Sequence, residues 1–330
     1  MIRYGPAGFQ YKDWEGIVYP VSRPKGFDPL AYLACYFATV EINSTFYGPA
    51  RATTAESWAR RVAHNPDFRF TAKLHQRFTH QRTTSWTQAE VDDVRAGFDP
   101  LMDAGKLGAV LLQFPWSFRR TDENRERLAD VVETFRAYPL VLEVRHESWN
   151  VLPFYEQLAE RGIGFVNIDQ PLFHDSIKPS AVATSRVGYV RVHGRNFKDW
   201  FRKDAGRDAR YDYLYPADEL KPWAERTQEL AEEPATDDVF VVTNNHYRGK
   251  AVANALMLQA MVEGHPAPAP PALFDEYGDV LAGYAVPREP EPADPEDPLL
   301  AALRGDGKPA KRRSAAKKSS PRKKKTDARQ

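Results

Sequence analysis

The sequence predicts one (β/α)8 barrel of the TIM type followed by a disordered C-terminal tail. Eight short β-branched or aliphatic runs alternate with amphipathic helical stripes between Ile2 and Val262, the pattern of parallel strands joined by crossing helices. The competing architecture is a doubly wound open sheet, which usually carries a glycine-rich phosphate loop after its first strand. Neither G-x-G-x-x-G nor G-x-x-x-x-G-K followed by Ser or Thr occurs in this chain.

The expected strands are Ile2–Gly5, Thr39–Asn43, Arg69–Leu74, Ala109–Phe114, Leu140–Arg145, Gly164–Asp169, Tyr189–His193 and Asp238–Asn244. After the first strand, Asp28 and Pro29 read as an N-cap and a first-turn proline, and Leu30, Leu33, Ala34 and Phe37 form the stripe of the helix they start. Cys35 falls within this apolar pattern and is the one cysteine of the chain, so a buried, inert thiol in a reducing cytoplasm is expected. Thr53 and Thr54 are placed to cap a helix carrying Trp58, Ala59 and Val62. Further stripes are Val91, Val94, Phe98 and Leu101; Leu128, Val131, Val132 and Phe135; Leu152, Tyr155 and Leu158; Leu220, Trp223, Ala224 and Leu230; and Ala255, Leu258 and Val262. Between Pro171 and Val187 the helical character is weak, and the sixth helix is expected to be missing or distorted.

The barrel domain takes residues 1–265. Residues 266–286 read as a proline-rich connector with a short apolar stretch, Leu273 to Val286, that docks on the barrel. Residues 287–330 read as disordered, first alternating proline with acids and then rich in Lys and Arg. From Lys308 onward eleven basic residues face the single acid Asp327, a net +10; the whole chain carries +1, which leaves −9 for residues 1–307. No signal-peptide pattern opens the chain and no run reaches the apolar length of a membrane helix. A soluble, cytoplasmic protein with no membrane contact is expected.

Chemistry is suggested by polar residues that recur at alternate positions near the strand ends. Side chains alternate faces along a strand, and barrel active sites lie at the carboxyl ends. The last inward positions are therefore expected to be Asn43, Lys73, Gln113, Arg145, Asp169, His193 and Asn244, with Glu41, Thr71, Glu143, Asn167 and Arg191 one layer deeper. Barrels normally fill those deeper layers with branched apolar residues. Unpaired buried charge costs several kcal/mol, so this many charges imply a ligand or a lattice of ion pairs. The lattice alternative is natural, because Glu41, Glu143 and Asp169 balance Lys73, Arg145 and Arg191 one for one.

In the functional alternative, Lys73, Arg145 and Arg191 grip a small polar or anionic substrate, Glu41 or Glu143 acts as base and His193 as acid. Asn43, Gln113 and Asn244 orient it, and His80, Asp169, Arg195 and Asn245 complete the expected binding set. If Glu41 and Glu143 face one another, their separation decides whether a two-carboxylate glycosidase mechanism is possible. Glu41, Glu143, Asp169 and His193 also offer oxygen and nitrogen ligands for a divalent ion. Nearby cations oppose that, and H-x-H, H-E-x-x-H and C-x-x-C are all missing, so no cofactor is expected. No G-x-S-x-G elbow is present for a serine nucleophile. Aromatic loop residues, among them Phe9, Tyr11, Trp14, Phe46, Tyr47, Trp116 and Trp200, suit either a stacking subsite or a hydrophobic rim.

Several segments resemble the YecE-like family, the domain of unknown function numbered 72. They are Gly5-Pro6-Ala7-Gly8-Phe9 with Tyr11, Trp14, Gly16 and Tyr19-Pro20; Val40-Glu41-Ile42-Asn43-Ser44-Thr45-Phe46-Tyr47; and Phe68-Arg69-Phe70-Thr71-Ala72-Lys73 with Thr79-His80. Leu112-Gln113-Phe114-Pro115, Glu143-Val144-Arg145, Val190-Arg191-Val192-His193-Gly194-Arg195 and Thr243-Asn244-Asn245-His246 with Asn254-Ala255 follow in family order. The resemblance implies a TIM-barrel-like fold with a polar mouth and brings no established reaction, substrate or cofactor. The basic tail lies outside it. As an alternative of another class, that tail is expected to neutralise nucleic-acid phosphates without reading sequence.

Overall fold

A computed structural model describes residues 1–81, 84–198, 200, 202 and 209–290. Eight parallel strands build the barrel: β1 (Ile2–Pro6), β2 (Thr39–Ile42), β3 (Arg69–Lys73), β4 (Leu107–Gln113), β5 (Leu140–Glu143), β6 (Gly164–Asp169), β7 (Val187–Val192) and β8 (Asp238–Thr243). The sheet order β1-β8-β7-β6-β5-β4-β3-β2 is that of a barrel, and its seam closes where Ala7 bridges Glu41 and the Gly8 N–H bonds to the Glu41 carbonyl at 2.8 Å. At this seam a Cβ on Gly5 would stand 1.8 Å from the Thr39 carbonyl oxygen, so the first two strands approach closely because residue 5 has no side chain.

Helices α1 (Pro29–Leu33), α2 (Ser44–Tyr47), α3 (Ala52–Arg61), α4 (Gln76–Thr79), α5 (Gln88–Asp103), α6 (Asp122–Phe135) and α7 (Leu152–Glu160) follow the first five strands. Local chemistry sets their starts. Asp28 accepts from the Leu30 and Ala31 N–H groups at the head of α1, and Thr87 with Glu90 forms a capping box on α5. Two local expectations are corrected. α3 begins at Ala52 after Arg51, so Thr53 and Thr54 lie inside its first turn instead of capping it. α1 ends at Leu33, and in the turn that follows Cys35 rotates away from the core to an exposed position.

No helix forms between β6 and β7, as the weak pattern there suggested. After β7 come α8 (Ala217–Glu232) and, beyond β8, α9 (Lys250–Glu263). α9 is buried along most of its length because it packs on β1 and α8 on one side and on the C-terminal segment on the other. That segment contains α10 (Leu273–Leu281), which buries Leu273, Tyr277 and Leu281 in the main core. Its flanks, β9 (Ala267–Ala269) and β10 (Ala285–Pro287), pair in parallel. The proline pattern concealed this ribbon, yet proline is tolerated in such an edge pair. Of the tail expected from residue 287, Pro287 ends β10 and the Arg288 N–H bonds to the Ala269 carbonyl at 3.0 Å. Residues 291–330, with the basic run, lie outside the described residues. Among the described residues no helix is long and apolar enough to cross a membrane.

Candidate active site

Strand register decides which side chains enter the barrel, because residues level with one another on parallel neighbours share a face. From the Ala7–Glu41 bridge, the pairs Glu41–Thr71, Lys73–Leu111, Gln113–Glu143 and Val141–Gly164 carry the inner face around to β6. There it falls on Val166 and Ile168, and Ile168 is level with Arg191. Glu41, Thr71, Lys73, Gln113, Glu143, Tyr189 and Arg191 therefore face inward. Asn167 and Asp169 face outward, contrary to their expected positions.

The deep part is one connected lattice. Thr71 donates to the Tyr189 hydroxyl at 2.9 Å, and Tyr189 donates to Glu41 Oε2 at 3.0 Å. Arg191 grips Glu41 through Nε and Nη2 at 2.9 and 2.6 Å, and reaches Glu143 Oε2 through Nη1 at 2.8 Å. The same Nη1 lies 3.3 Å from Gln113 Oε1. Arg145 donates to the other oxygen of Glu143 from Nε at 2.8 Å. Glu41, Glu143, Arg191 and His193 are fully buried, whereas Arg145 keeps 13 % of its side chain exposed toward the mouth. Arg191 thus stands between the two carboxylates, and they do not flank an open substrate position as a glycosidase pair would.

The electrostatics follow from this packing. Burial opposes ionisation of Glu143, but Arg145, Arg191 and His193 outweigh it and hold the carboxyl well below the usual range. Burial pushes the His193 imidazole down to about 3, with Arg145 and Arg191 assisting against Glu143, so the ring is neutral at pH 7 and not a cationic acid. Asn244 Nδ2 donates to His193 Nδ1 at 3.0 Å, and Nε2 lies among Arg145 Nη2, Arg191 Nη1 and Glu143 Oε1 at 3.2, 3.4 and 3.3 Å. Trp200 roofs this corner, edge-on to His193 and 5.6 Å from the Arg145 guanidinium.

Lys73 differs from its neighbours. With Asp169 turned outward, two carboxylates remain inside this half of the barrel to face Lys73, Arg145 and Arg191, and both are already held by the guanidinium groups. Among the described residues Lys73 Nζ has no hydrogen-bond or ion-pair partner and lies 5.3 Å over the Phe46 ring. Burial pushes its amine down to about 7; Arg191 and Arg145 add to the effect, and Glu41 and Glu143 oppose it. The backbone here is fixed, because the Thr45 hydroxyl donates to the Lys73 carbonyl at 2.8 Å. Just past Ile42, at the head of α2, Asn43 has a buried Oδ1 that accepts no hydrogen bond.

Other expected site residues lie elsewhere. Asp169 accepts from Arg195 Nε and Nη2 at 2.8 and 2.9 Å and from the Tyr215 hydroxyl, all on the outer face of β6. Arg195 also meets Glu219 at 3.4 Å, so this group fastens the loop after β7 to α8. Asn167 serves the connection without a helix, accepting from Ser180 and the Val182 N–H. Asn245 donates to the Tyr213 carbonyl and to Asn254, anchoring the chain before α8. His80 stands edge-on to the same Phe46 ring that Lys73 covers, with Nδ1 2.9 Å from the Thr79 hydroxyl. Tyr189 was missed as a site residue, whereas Trp200 was among the aromatic loop residues expected at the mouth. Tyr189 was legible, since it stands two positions before Arg191 on the same face.

Among the described residues no group of three or more His, Cys, Asp or Glu side chains is placed to hold a metal ion; of the four expected ligands, Asp169 is on the opposite face. A groove of about 670 Å³ runs between α6 and α7 past Arg120, Glu126, Trp149 and Arg161, on the flank of the barrel rather than at its mouth.

A family model described as "Protein of unknown function DUF72" matches residues 3–273. The chain is similar to the UPF0759 protein YunF of Bacillus subtilis (strain 168), 30% identical over 241 residues that cover 69% of this chain and 84% of YunF. A crystal structure of a DUF72 family protein from Thermotoga maritima MSB8 matches with a TM-score of 0.69 at 33% identity, over 80% of this chain and 99% of that one. Another, from Enterococcus faecalis V583, matches with a TM-score of 0.68 at 25% identity, over 80% and 96%.

Proposed function

We propose a function for this chain, which belongs to the DUF72 family of proteins of unknown function, from its barrel mouth: acid–base chemistry, hydrolysis or isomerisation, on a small anionic or carbohydrate-like substrate. The observation that carries the proposal is the surplus cation inside the barrel. Two buried carboxylates are committed to two guanidinium groups, and the Lys73 amine is left over beside the half-buried Gln113, Asn43 and Arg145. An entering anion balances the protonated amine, and in a desolvated mouth that balance is worth far more than in water. Arg145 receives the anion, Gln113 and Asn43 orient it, and Lys73 moves the proton in place of Glu41 or Glu143. Neutral His193, held by Asn244, is the second group available for proton transfer. The Glu41–Arg191–Glu143 lattice holds these groups in place and sets their field.

Thermal shift of the full-length protein with inorganic phosphate, small carboxylates and phosphorylated sugars tests this. Stabilisation is expected to rise with anion concentration in the wild type and to vanish in Arg145→Met. Equal stabilisation of both proteins, or none in either, removes the mouth as the binding site. We propose separately that the Lys/Arg-rich tail binds nucleic acid through phosphates alone, because it concentrates a net +10 in a chain of +1. Duplex DNA binding that persists without residues 305–330, or fails in the full chain, contradicts this.

A further inference from the structure

We infer that Lys73 acts covalently, its amine condensing with the carbonyl carbon of a small anionic aldehyde or ketone to form an imine. This narrows the substrate class of the proposed site to carbonyl compounds that carry a carboxylate or phosphate, and it rests on the barrel mouth being the active site.

A lysine that condenses with a carbonyl must be unbonded, partly neutral near pH 7, reachable and fixed. Lys73 meets each condition. Its Nζ has no polar partner among the described residues and lies over the face of Phe46. The charged groups that act on it most strongly are Arg191 on β7, Glu41 on β2, and Glu143 and Arg145 at the end of β5, with the acids already gripped by the guanidinium groups. Burial together with the two arginines brings the amine to about 7, where half is the free base. The side chain is half-buried at the carboxyl end of its strand, and its backbone is pinned by Thr45.

The condensation balances without any oxidant or reductant. The nitrogen lone pair forms the N–C bond as the carbonyl π electrons move to oxygen, and the amine gives up its two protons to that oxygen, which leaves as water. One proton from solvent then converts the imine to its cationic form. Charge selects the substrate: with a neutral amine the interior acids and guanidinium groups cancel, so the cation created on Lys73 calls for one negative charge on the substrate, facing Arg145.

Reductive trapping on the full-length wild-type protein tests the inference. The protein is incubated at pH 7 with pyruvate or dihydroxyacetone phosphate, reduced with borohydride, and mapped by peptide mass spectrometry, with exposed Lys178 and Lys221 as internal references. An amine of pKa 7 is half neutral at pH 7, against fewer than about one in a thousand for an ordinary lysine. Labelling at Lys73 is therefore expected to exceed that at the references by at least roughly tenfold. Uncharged acetone is expected to label it far less, and inorganic phosphate to slow the reaction. Labelling of Lys73 no faster than Lys221, or as fast with acetone as with pyruvate, overturns the imine. If anions still stabilise the protein while trapping fails, the imine falls and the anion-binding mouth stands; if both fail, the mouth itself is the wrong site.

Discussion

Replacing Arg191 with Met removes the bridge at the centre of the interior, and the consequence can be worked from its contacts. Arg191 supplies two hydrogen bonds to Glu41 and one to Glu143. Without it, Glu143 keeps Arg145, while Glu41 keeps the Tyr189 hydroxyl and no guanidinium. The loss is therefore that of about one uncompensated buried charge, roughly 3–5 kcal/mol. With an unfolding entropy of about 2.1 cal/mol/K per residue over the folded part, that lowers Tm by roughly 5–8 °C. Urea denaturation followed by circular dichroism at pH 4 and pH 7 measures it. Glu143 loses one of the two guanidinium groups that hold its carboxyl below the unfolded value, so the part of its contribution that Arg191 supplies is complete above about pH 4.5 and disappears as pH falls toward the folded value. The variant's deficit should accordingly be full at pH 7 and shrink in acid, where a protonated carboxyl needs no counter-charge. A loss under about 1 kcal/mol at pH 7, or a deficit independent of pH, refutes the claim that Arg191 balances the buried acids.

Three further substitutions separate structure from chemistry. Gly108→Ala would place a Cβ 2.3 Å from Cζ of Phe240 at the β3–β4 register shift, and overpacking of this kind should cost about 1–3 kcal/mol in denaturant titration. Asp169→Asn weakens the outer-face group of Arg195 and Tyr215 and should cost about 1.5–3 kcal/mol while leaving anion binding at the mouth unchanged, as thermal shift with phosphate would register. Lys73→Met should abolish that binding yet stabilise the free protein at pH 7 by roughly 2–4 kcal/mol, because the folded amine titrates below its unfolded value. The wild-type cost is complete below about pH 7 and is relieved as pH rises toward about 10.5, so the variant's advantage should fade over that window.

Strand boundaries were legible in the sequence to within about two residues, because a parallel strand buried on both faces reads as a continuous β-branched run. The deep lattice was legible as well: Glu41, Glu143 and Arg191 repeat the period of two that places them on one face. What failed was phase on β6. Asp169 ends its strand as Glu143 and Arg191 nearly end theirs, yet the inner face of β6 is set by Gly164 lying level with Val141, a pairing between strands that no single strand reveals. That one error concealed the most informative feature of the site. With Asp169 counted inside, three acids matched three bases; with it outside, Lys73 has no acid of its own. The roles of Arg195 and Asn245 were hidden for a related reason, since their partners Glu219 and Asn254 lie in later helices. Cys35 moved outward because α1 stops after five residues, short of where its apolar stripe pointed.

The central claim is that Lys73 is the surplus base of the barrel, and its titration tests this most directly. Nitrogen-15 NMR of the lysine side chains, with Lys73 assigned by comparison with Lys73→Met, is expected to show one amine titrating near pH 7 and moving upward in Arg191→Met, where a neighbouring cation is gone. A Lys73 amine that titrates near 10.5 in the wild type and is unmoved by loss of Arg191 would contradict the account.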